Sequence, residues 1–301
     1  VSPRPGADSV TALAPKRLSH LDNAVRQMLL TGERGGFDII GAGEITCVVG
    51  IDEFACKRLP PVTDPSRLDA YGTLLVSYLG ALKKIAIPVV ETEWQTVPGP
   101  ADHVGYIIQP RLPADTILHK VMASMSDAEN VAVLSTILDH VDACVDAGIG
   151  IDPQFSNWAM ADGRPLLLDV TTPMLRDEDG NDLLDTEVFV VMLPVVIRSF
   201  VRRFMIGDLL NKNFEKHGIL LDLIGNIVNY DLDHLTEVFL PIVNERLEAP
   251  LTMKEIKGYR REEYWTWLAI RKALQIEQFW QRRIRGKPTL HLLPSEFVAP
   301  S

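Results

Sequence analysis

The feature that most constrains this chain is a change of hydrophobic rhythm near residue 114. Before it, short β-like runs alternate with glycine and proline breaks; after it, apolar residues recur at helical spacing over long stretches. Residues 37–40 lead into a glycine turn at Gly41, Ala42 and Gly43, residues 45–49 form a second run, and a turn at residues 50–53 joins it to a third run at 54–59. Pro60, Pro61 and Pro65 then break the chain, and Leu68, Leu75, Leu79 and Leu82 predict a helix over residues 68–82. Residues 89–97 and 104–109 read as two further strands. The pattern predicts an α+β chain of two lobes. An N-terminal arm or helix covers residues 1–30, a small β-rich lobe 31–110, and a larger, mainly helical lobe 111–301.

In the second lobe, Ser126 and Glu129 have the spacing of a capping box ahead of a helix at 131–147. Further helices are expected at 187–204, 219–228, 233–246 and 261–283. One interruption stands out. At residues 158–170 two short apolar runs flank Ala161, Asp162, Gly163 and Arg164, a sequence suited to a tight hairpin turn.

With 301 residues there is enough chain for two cored lobes. A net charge of −10 argues against a general nucleic-acid binder, because neutralising phosphates takes a basic face. Cys47, Cys56 and Cys144 form neither a CxxC pair nor a disulfide framework and read as free thiols of a reducing, cytoplasmic compartment. Residues 1–15 hold no apolar signal segment, and the most apolar run, 188–197, is too short to span a membrane and contains Pro194. It reads as a buried core helix. The histidines form no HExxH pair, and no serine nucleophile elbow is present.

The chemistry concentrates in residues 147–170: Asp152, then Asn157, then the hairpin, then Asp169 at the end of an apolar strand. Phosphoryl transfer needs a carboxylate beside the attacking hydroxyl and oxygen ligands for the magnesium that neutralises the phosphates. These three residues supply those types in that order.

Here the chain resembles the protein kinase superfamily, nearest its aminoglycoside and choline phosphotransferase branch, whose catalytic loop reads D-x-x-x-x-N and is followed by a metal-binding Asp. The chain as a whole resembles an uncharacterised actinobacterial kinase-like family. The resemblance implies a bilobal kinase-like fold, with Asp152 as catalytic base, Asn157 and Asp169 as Mg²⁺ ligands, and ATP as phosphoryl donor. Lys57, set in an apolar strand at residues 54–59, matches the phosphate-binding lysine. Arg58 alternates to the other face and reads as solvated. Gly41, Gly43 and Glu44 resemble a shortened glycine-rich loop, and Gln109 and Arg111 fall where the adenine would meet the connector.

The chain departs from that pattern in three places. Gly150 and Ile151 stand where His-Arg or His-Gly is usual, Val170 and Thr171 stand where Phe-Gly is usual, and the helix at 68–82 carries no glutamate to pair with Lys57. Asp69 lies early in that helix, so Glu44, Glu91 and Glu93 are the substitute partners. The absence of an APE-like motif after Asp169 favours a small-molecule hydroxyl acceptor over a protein, with no nucleic-acid or membrane partner and a homodimer allowed. Two alternatives stay open: a pseudokinase or nucleotide-binding regulatory module without turnover, and a kinase-fold enzyme that transfers AMP.

Two other segments attract attention. The acidic stretch 176–182 lacks the ligand spacing of a calcium loop and reads as a solvated hairpin turn, which, if it met a substrate, would favour a cationic one. Thr171, Thr172 and Arg176 lie near the metal position, and Asp185 is placed to anchor the next helix. The aromatic and basic mixture at 259–267 and 280–283 reads as packing aromatics with a solvated arginine face.

Overall fold

The computed structural model describes residues 12–31, 36–42, 46–190, 198 and 210–283. The chain opens with helix α1 (Pro15–Thr31), followed by strands β1 (Asp38–Ala42), β2 (Cys47–Ile51) and β3 (Phe54–Arg58), helix α2 (Pro65–Lys84), and strands β4 (Glu93–Pro98) and β5 (His103–Pro110). The five strands form one antiparallel sheet in the order β1-β2-β3-β5-β4. Helices α3 (Leu118–Met122) and α4 (Asp127–Asp146) follow, then the hairpin β6 (Trp158–Ala161) and β7 (Arg164–Leu167). After it come α5 (Glu187–Val190), α6 (Lys216–Gly225), α7 (Thr236–Asn244) and α8 (Met253–Arg283). This is the expected α+β arrangement of two lobes, with the sheet in one lobe and most of the helix in the other.

Each face of the sheet has its own cover. Phe54 and Cys56 on β3, with Cys47, Val49, Val104, Tyr106 and Ile108, pack on Leu18, Leu21, Val25 and Met28 of α1. Strand alternation sends these side chains to one face. Helix α2 instead joins the large core through Leu68, Tyr71, Leu75, Tyr78 and Leu82, together with the buried residues of α4, α6 and α7. Its start is fixed by Asp64, whose carboxylate accepts from the Ser66 amide at 3.0 Å, with Pro65 in the first turn.

Several expectations are met. The Ser126–Glu129 capping box is complete, and the β6–β7 turn places Asp162 and Gly163 at φ of 49° and 74°, the left-handed pair that closes a two-residue hairpin. Segment 176–182 is a self-bonded turn, with the Asp177 carboxylate accepting from the Asp179 and Asn181 amides and Arg176 paired to Asp182 at 2.8 Å. All three cysteines are free and buried. Among the described residues no helix is long and apolar enough to cross a membrane.

Others are corrected. The glycine turn is not where Gly41 lies: β1 continues to Ala42, Gly41 pairs with Val48, and the irregularity falls between Ile39 and Gly41. Gly43 and Glu44 lie outside the described residues, as does the rest of the predicted helix beyond Val190 apart from residue 198. The strand expected at 89–97 begins only at Glu93. Val89 and Val90 leave the sheet because the lower lobe takes their backbone: the Val90 amide donates to the Leu167 carbonyl at 2.9 Å, and Leu167 N–H to Pro88 at 2.8 Å. Helix α8 starts at Met253 rather than 261, capped by Thr252, whose hydroxyl accepts from the Glu255 amide. On it Tyr264 and Trp265 are exposed, at 63% and 61%, and do not pack into the core.

Arg58 is also corrected. It is 5% exposed and sealed under α1, where its Nε donates to Asp22 Oδ1 at 3.1 Å. Tyr106 donates to the same oxygen at 2.7 Å, and Arg26 to Oδ2 at 2.5 Å. Burial alone would raise the Asp22 carboxyl, but the Arg58 charge and the bonds from Arg26 and Tyr106 outweigh it and hold it below the usual carboxylate range.

Candidate active site

Lys57, next to Arg58 on β3, points to the opposite face of the sheet and reaches into the cleft between the lobes. Its ammonium donates to Asp169 Oδ2 at 2.7 Å, across 112 positions of sequence. Asp169 is the partner that the missing α2 glutamate left open. Asp69 is exposed on the far side of α2, Glu93 accepts from Gln95 at 2.8 Å, and the inner face of α2 is apolar.

The other Asp169 oxygen, Oδ1, accepts from the Thr171 amide at 2.9 Å and from its hydroxyl at 2.5 Å. Burial pushes the Asp169 carboxyl up, but the Lys57 charge and bond and the two Thr171 bonds together pull it below its ordinary value. Tyr71 of α2 holds this turn from behind, donating to the Thr171 carbonyl at 2.6 Å.

The β6–β7 hairpin explains why Asn157 and Asp169 share one end of the site. The Asn157 carbonyl, at the start of β6, accepts from the Leu168 amide at 2.7 Å and the Asp169 amide at 3.2 Å, just past the end of β7. The Asn157 side-chain nitrogen donates to the Asp152 carbonyl at 3.3 Å, and its Oδ1 accepts from the Ser156 hydroxyl at 3.4 Å, which leaves that oxygen one lone pair for a ligand. Asp152, Asn157, Asp169 and Thr172 line one small cavity of about 50 Å³.

Asp152 differs from Asp169. Its carboxylate accepts from the Gln154 amide at 3.2 Å, and no ammonium or guanidinium bonds to it among the described residues. Burial, reinforced by the nearby Asp222 charge, pushes the carboxyl up to about 7. A carboxyl that titrates near neutrality can accept a hydroxyl proton and release it again.

Asp222 went unnoticed in the sequence. It is fully buried on α6 and accepts from Lys212 at 2.6 Å, from the Gln154 side chain at 2.9 Å, from Asn226 and from the Tyr259 hydroxyl. The available signal was one acid inside the apolar run 219–224, which demands a buried partner.

The two connector residues do different things. The Gln109 side chain donates to the Leu168 carbonyl at 2.8 Å and to Thr92 at 3.0 Å, bracing the cleft beside Asp169. Arg111 turns away over β2 and pairs with Asp38 at 2.9 Å on the exposed face. Arg176 is likewise engaged elsewhere, over the Phe214 ring and with Asp182. Asp185 pairs with Arg67 at 2.5 Å and accepts from the Glu187 amide at the start of α5.

Magnesium takes six oxygens and is commonly held by one or two protein carboxylates or amides, with phosphate and water completing the shell. Asp169 Oδ2 retains a lone pair beyond its Lys57 bond, and Asn157 Oδ1 adjoins the same cavity, so the donor set fits. Among the described residues no group of three or more His, Cys, Asp or Glu forms a self-sufficient metal cage, so a cation here would need further oxygens from outside the protein.

The model of the family described as a family of unknown function, DUF6206, matches residues 48–278. Among curated proteins none matches the chain. Among solved structures the chain is similar to the Cydia pomonella granulovirus kinase PK-1, at 12% identity and a TM-score of 0.28, over 52% of this chain. The chain spans 55% of that kinase's length.

Proposed function

The chain belongs to the DUF6206 family of unknown function, and on that premise we propose that it is a Mg-ATP-dependent phosphotransferase acting on a hydroxyl of a small molecule. The observation that carries the reading is the convergence of Asp152, Asn157 and Asp169 on one cavity, with Lys57 brought to Asp169 from the other lobe. Asn157 and Asp169 would hold magnesium, and bound magnesium would offset the negative charge of the phosphates. Lys57 is placed to exchange its carboxylate for a phosphate oxygen. Asp152 orients the acceptor hydroxyl and takes its proton as the new O–P bond forms, while the bond from the γ-phosphorus to the ADP oxygen breaks. The proton then passes to solvent.

A small acceptor is favoured by a second cavity of about 850 Å³ beside Asp152, within the size range of small-molecule sites. The self-bonded turn at 176–182 occupies the segment after Asp169. Titration calorimetry with Mg-ATP is the direct test. Binding that Asp169→Ala abolishes is expected. If Mg-ATP neither binds nor raises the melting temperature, and Asp169→Ala behaves as wild type, the reading is wrong.

One observation favours a second reading, a nucleotide-binding module without turnover: Lys57 already has its partner in Asp169, and α2 offers it none. ADP release that depends on acceptor and vanishes in Asp152→Asn excludes this alternative; Mg-ATP binding with no such release establishes it.

A further inference from the structure

Asp152, Thr172 and Met174 line both cavities, the small one shared with Asn157 and Asp169 and the large one beyond it. Asp152 therefore stands where two chambers meet. The large chamber is walled on one side by α8, from which Lys257, Arg260 and Arg261 border it, with Lys212 at its inner end. Lys212 is neutralised by Asp222, and α8 brings Glu263 to the same chamber, so that this wall carries three cations, Lys257, Arg260 and Arg261, against one carboxylate. Their i, i+3 and i+4 spacing gathers like charges on one helix face, an arrangement that weakens a helix when nothing offsets it. In a chain of net charge −10, such a wall marks a place built for an anion.

Helix α8 is held at this wall by a specific contact. Gly225 of α6 lets the Tyr259 ring come close, since a Cβ there would lie 2.8 Å from Tyr259 Cδ1. Lys212 donates to the Tyr259 hydroxyl at 2.9 Å, and that hydroxyl donates to Asp222. The anchor residue is thus bracketed in sequence by Lys257 and the arginine pair, which border the chamber.

Resting on the phosphotransferase reading, we infer that the acceptor is a phosphate monoester bearing a free hydroxyl, its phosphate seated on Lys257, Arg260 and Arg261 and its hydroxyl at Asp152. Three cations, two of them arginine forks, suit a dianion with three oxygens better than a carboxylate, which offers one charge and two oxygens. The acidic turn at 176–182, the one feature of the sequence that pointed to a cationic substrate, is closed on itself and does not line this chamber.

Calorimetry on the full chain saturated with Mg-AMPPNP tests the inference, using glycerol 3-phosphate, glycerate and glycerol as probes. Glycerol 3-phosphate should bind at least about tenfold tighter than either of the others, and Arg260→Gln/Arg261→Gln should remove that margin while Mg-AMPPNP affinity stays within about twofold. Lys257→Gln should weaken the phosphate ester in the same direction by less, and carries the comparison alone if the double variant does not fold. Equal binding of the three probes, or tighter glycerate, or a margin untouched by the arginine and lysine changes, overturns the phosphate assignment while Mg-AMPPNP binding keeps the nucleotide reading. Loss of Mg-AMPPNP binding with arginine-dependent glycerol 3-phosphate binding intact overturns the acceptor role and the nucleotide reading, leaving only an anion site.

Discussion

Lys57 and Arg58 are neighbours on one strand, yet the two faces of the sheet make opposite use of a cation. Behind the sheet, Arg58 meets Asp22 in a sealed cluster where Arg26 and Tyr106 complete the carboxylate's bonding. In front of it, Lys57 meets Asp169 in a cleft where the side chains are 18% and 34% exposed and Asp152 is left with no cation bonded to it. The rear cluster pulls its acid's affinity for protons down, and the front site pushes one acid's up to about 7. Complete satisfaction stabilises a fold; a carboxylate left incomplete is available for chemistry.

The largest expected effect tests the front. Asp152→Asn should lower acceptor-dependent ADP release by about 10²–10⁴-fold, the usual contribution of a general base, measured at saturating substrate. Its stability should move the other way. A carboxyl whose folded value lies above its unfolded one favours the fold at low pH and loses that contribution as pH rises through about 7. The variant should therefore melt at or above wild type, with the gap widening through that pH range in calorimetric scans.

Next comes the rear. Asp22→Ala strands a buried guanidinium and should cost about 3–5 kcal/mol in urea unfolding while leaving Mg-ATP affinity intact in whatever fraction folds. Because the Asp22 carboxyl is held below its ordinary value, its contribution to wild-type stability is present above about pH 4 and fades as pH falls through the depressed folded value. A loss of nucleotide binding with stability unchanged would reverse the assignment of the two faces.

Lys57→Met should then cost about 1 kcal/mol or less, since the pair is partly solvated, yet weaken Mg-ATP in calorimetry. The smallest change expected is in a pH profile. Asp222→Asn removes a neighbouring charge that raises Asp152, so the acidic limb of turnover should move to lower pH. A limb that stays in place would show that burial alone sets the proton affinity of Asp152.

Much of this was legible in the sequence because it is local. The β6–β7 turn, the capping box and the order Asp152, Asn157, Asp169 are short-range patterns whose geometry follows from a few adjacent residues. What was not legible depends on distant chain. The Lys57 partner lies 112 positions away, and the burial of Arg58 depends on an acid in a helix that precedes the sheet. Strand alternation separated the two cations correctly but said nothing of what covers each face. Residues 89–92 have good strand character and still leave the sheet, because β7 competes for the backbone of Val89 and Val90. The exposure of Tyr264 and Trp265 and the cationic wall of α8 were missed because helical periodicity does not say which neighbours a helix receives.

The pairing of β3 with β2 and β5 matches Lys57 to Val48 and Ile107, and Arg58 to Cys47 and Tyr106. A slip of one residue would turn every side chain of the strand over. It would turn the lysine toward α1 and the arginine toward the cleft, exchanging the cations that Asp22 and Asp169 meet. The register of β3 therefore decides which acid meets an arginine fork and which meets a single ammonium.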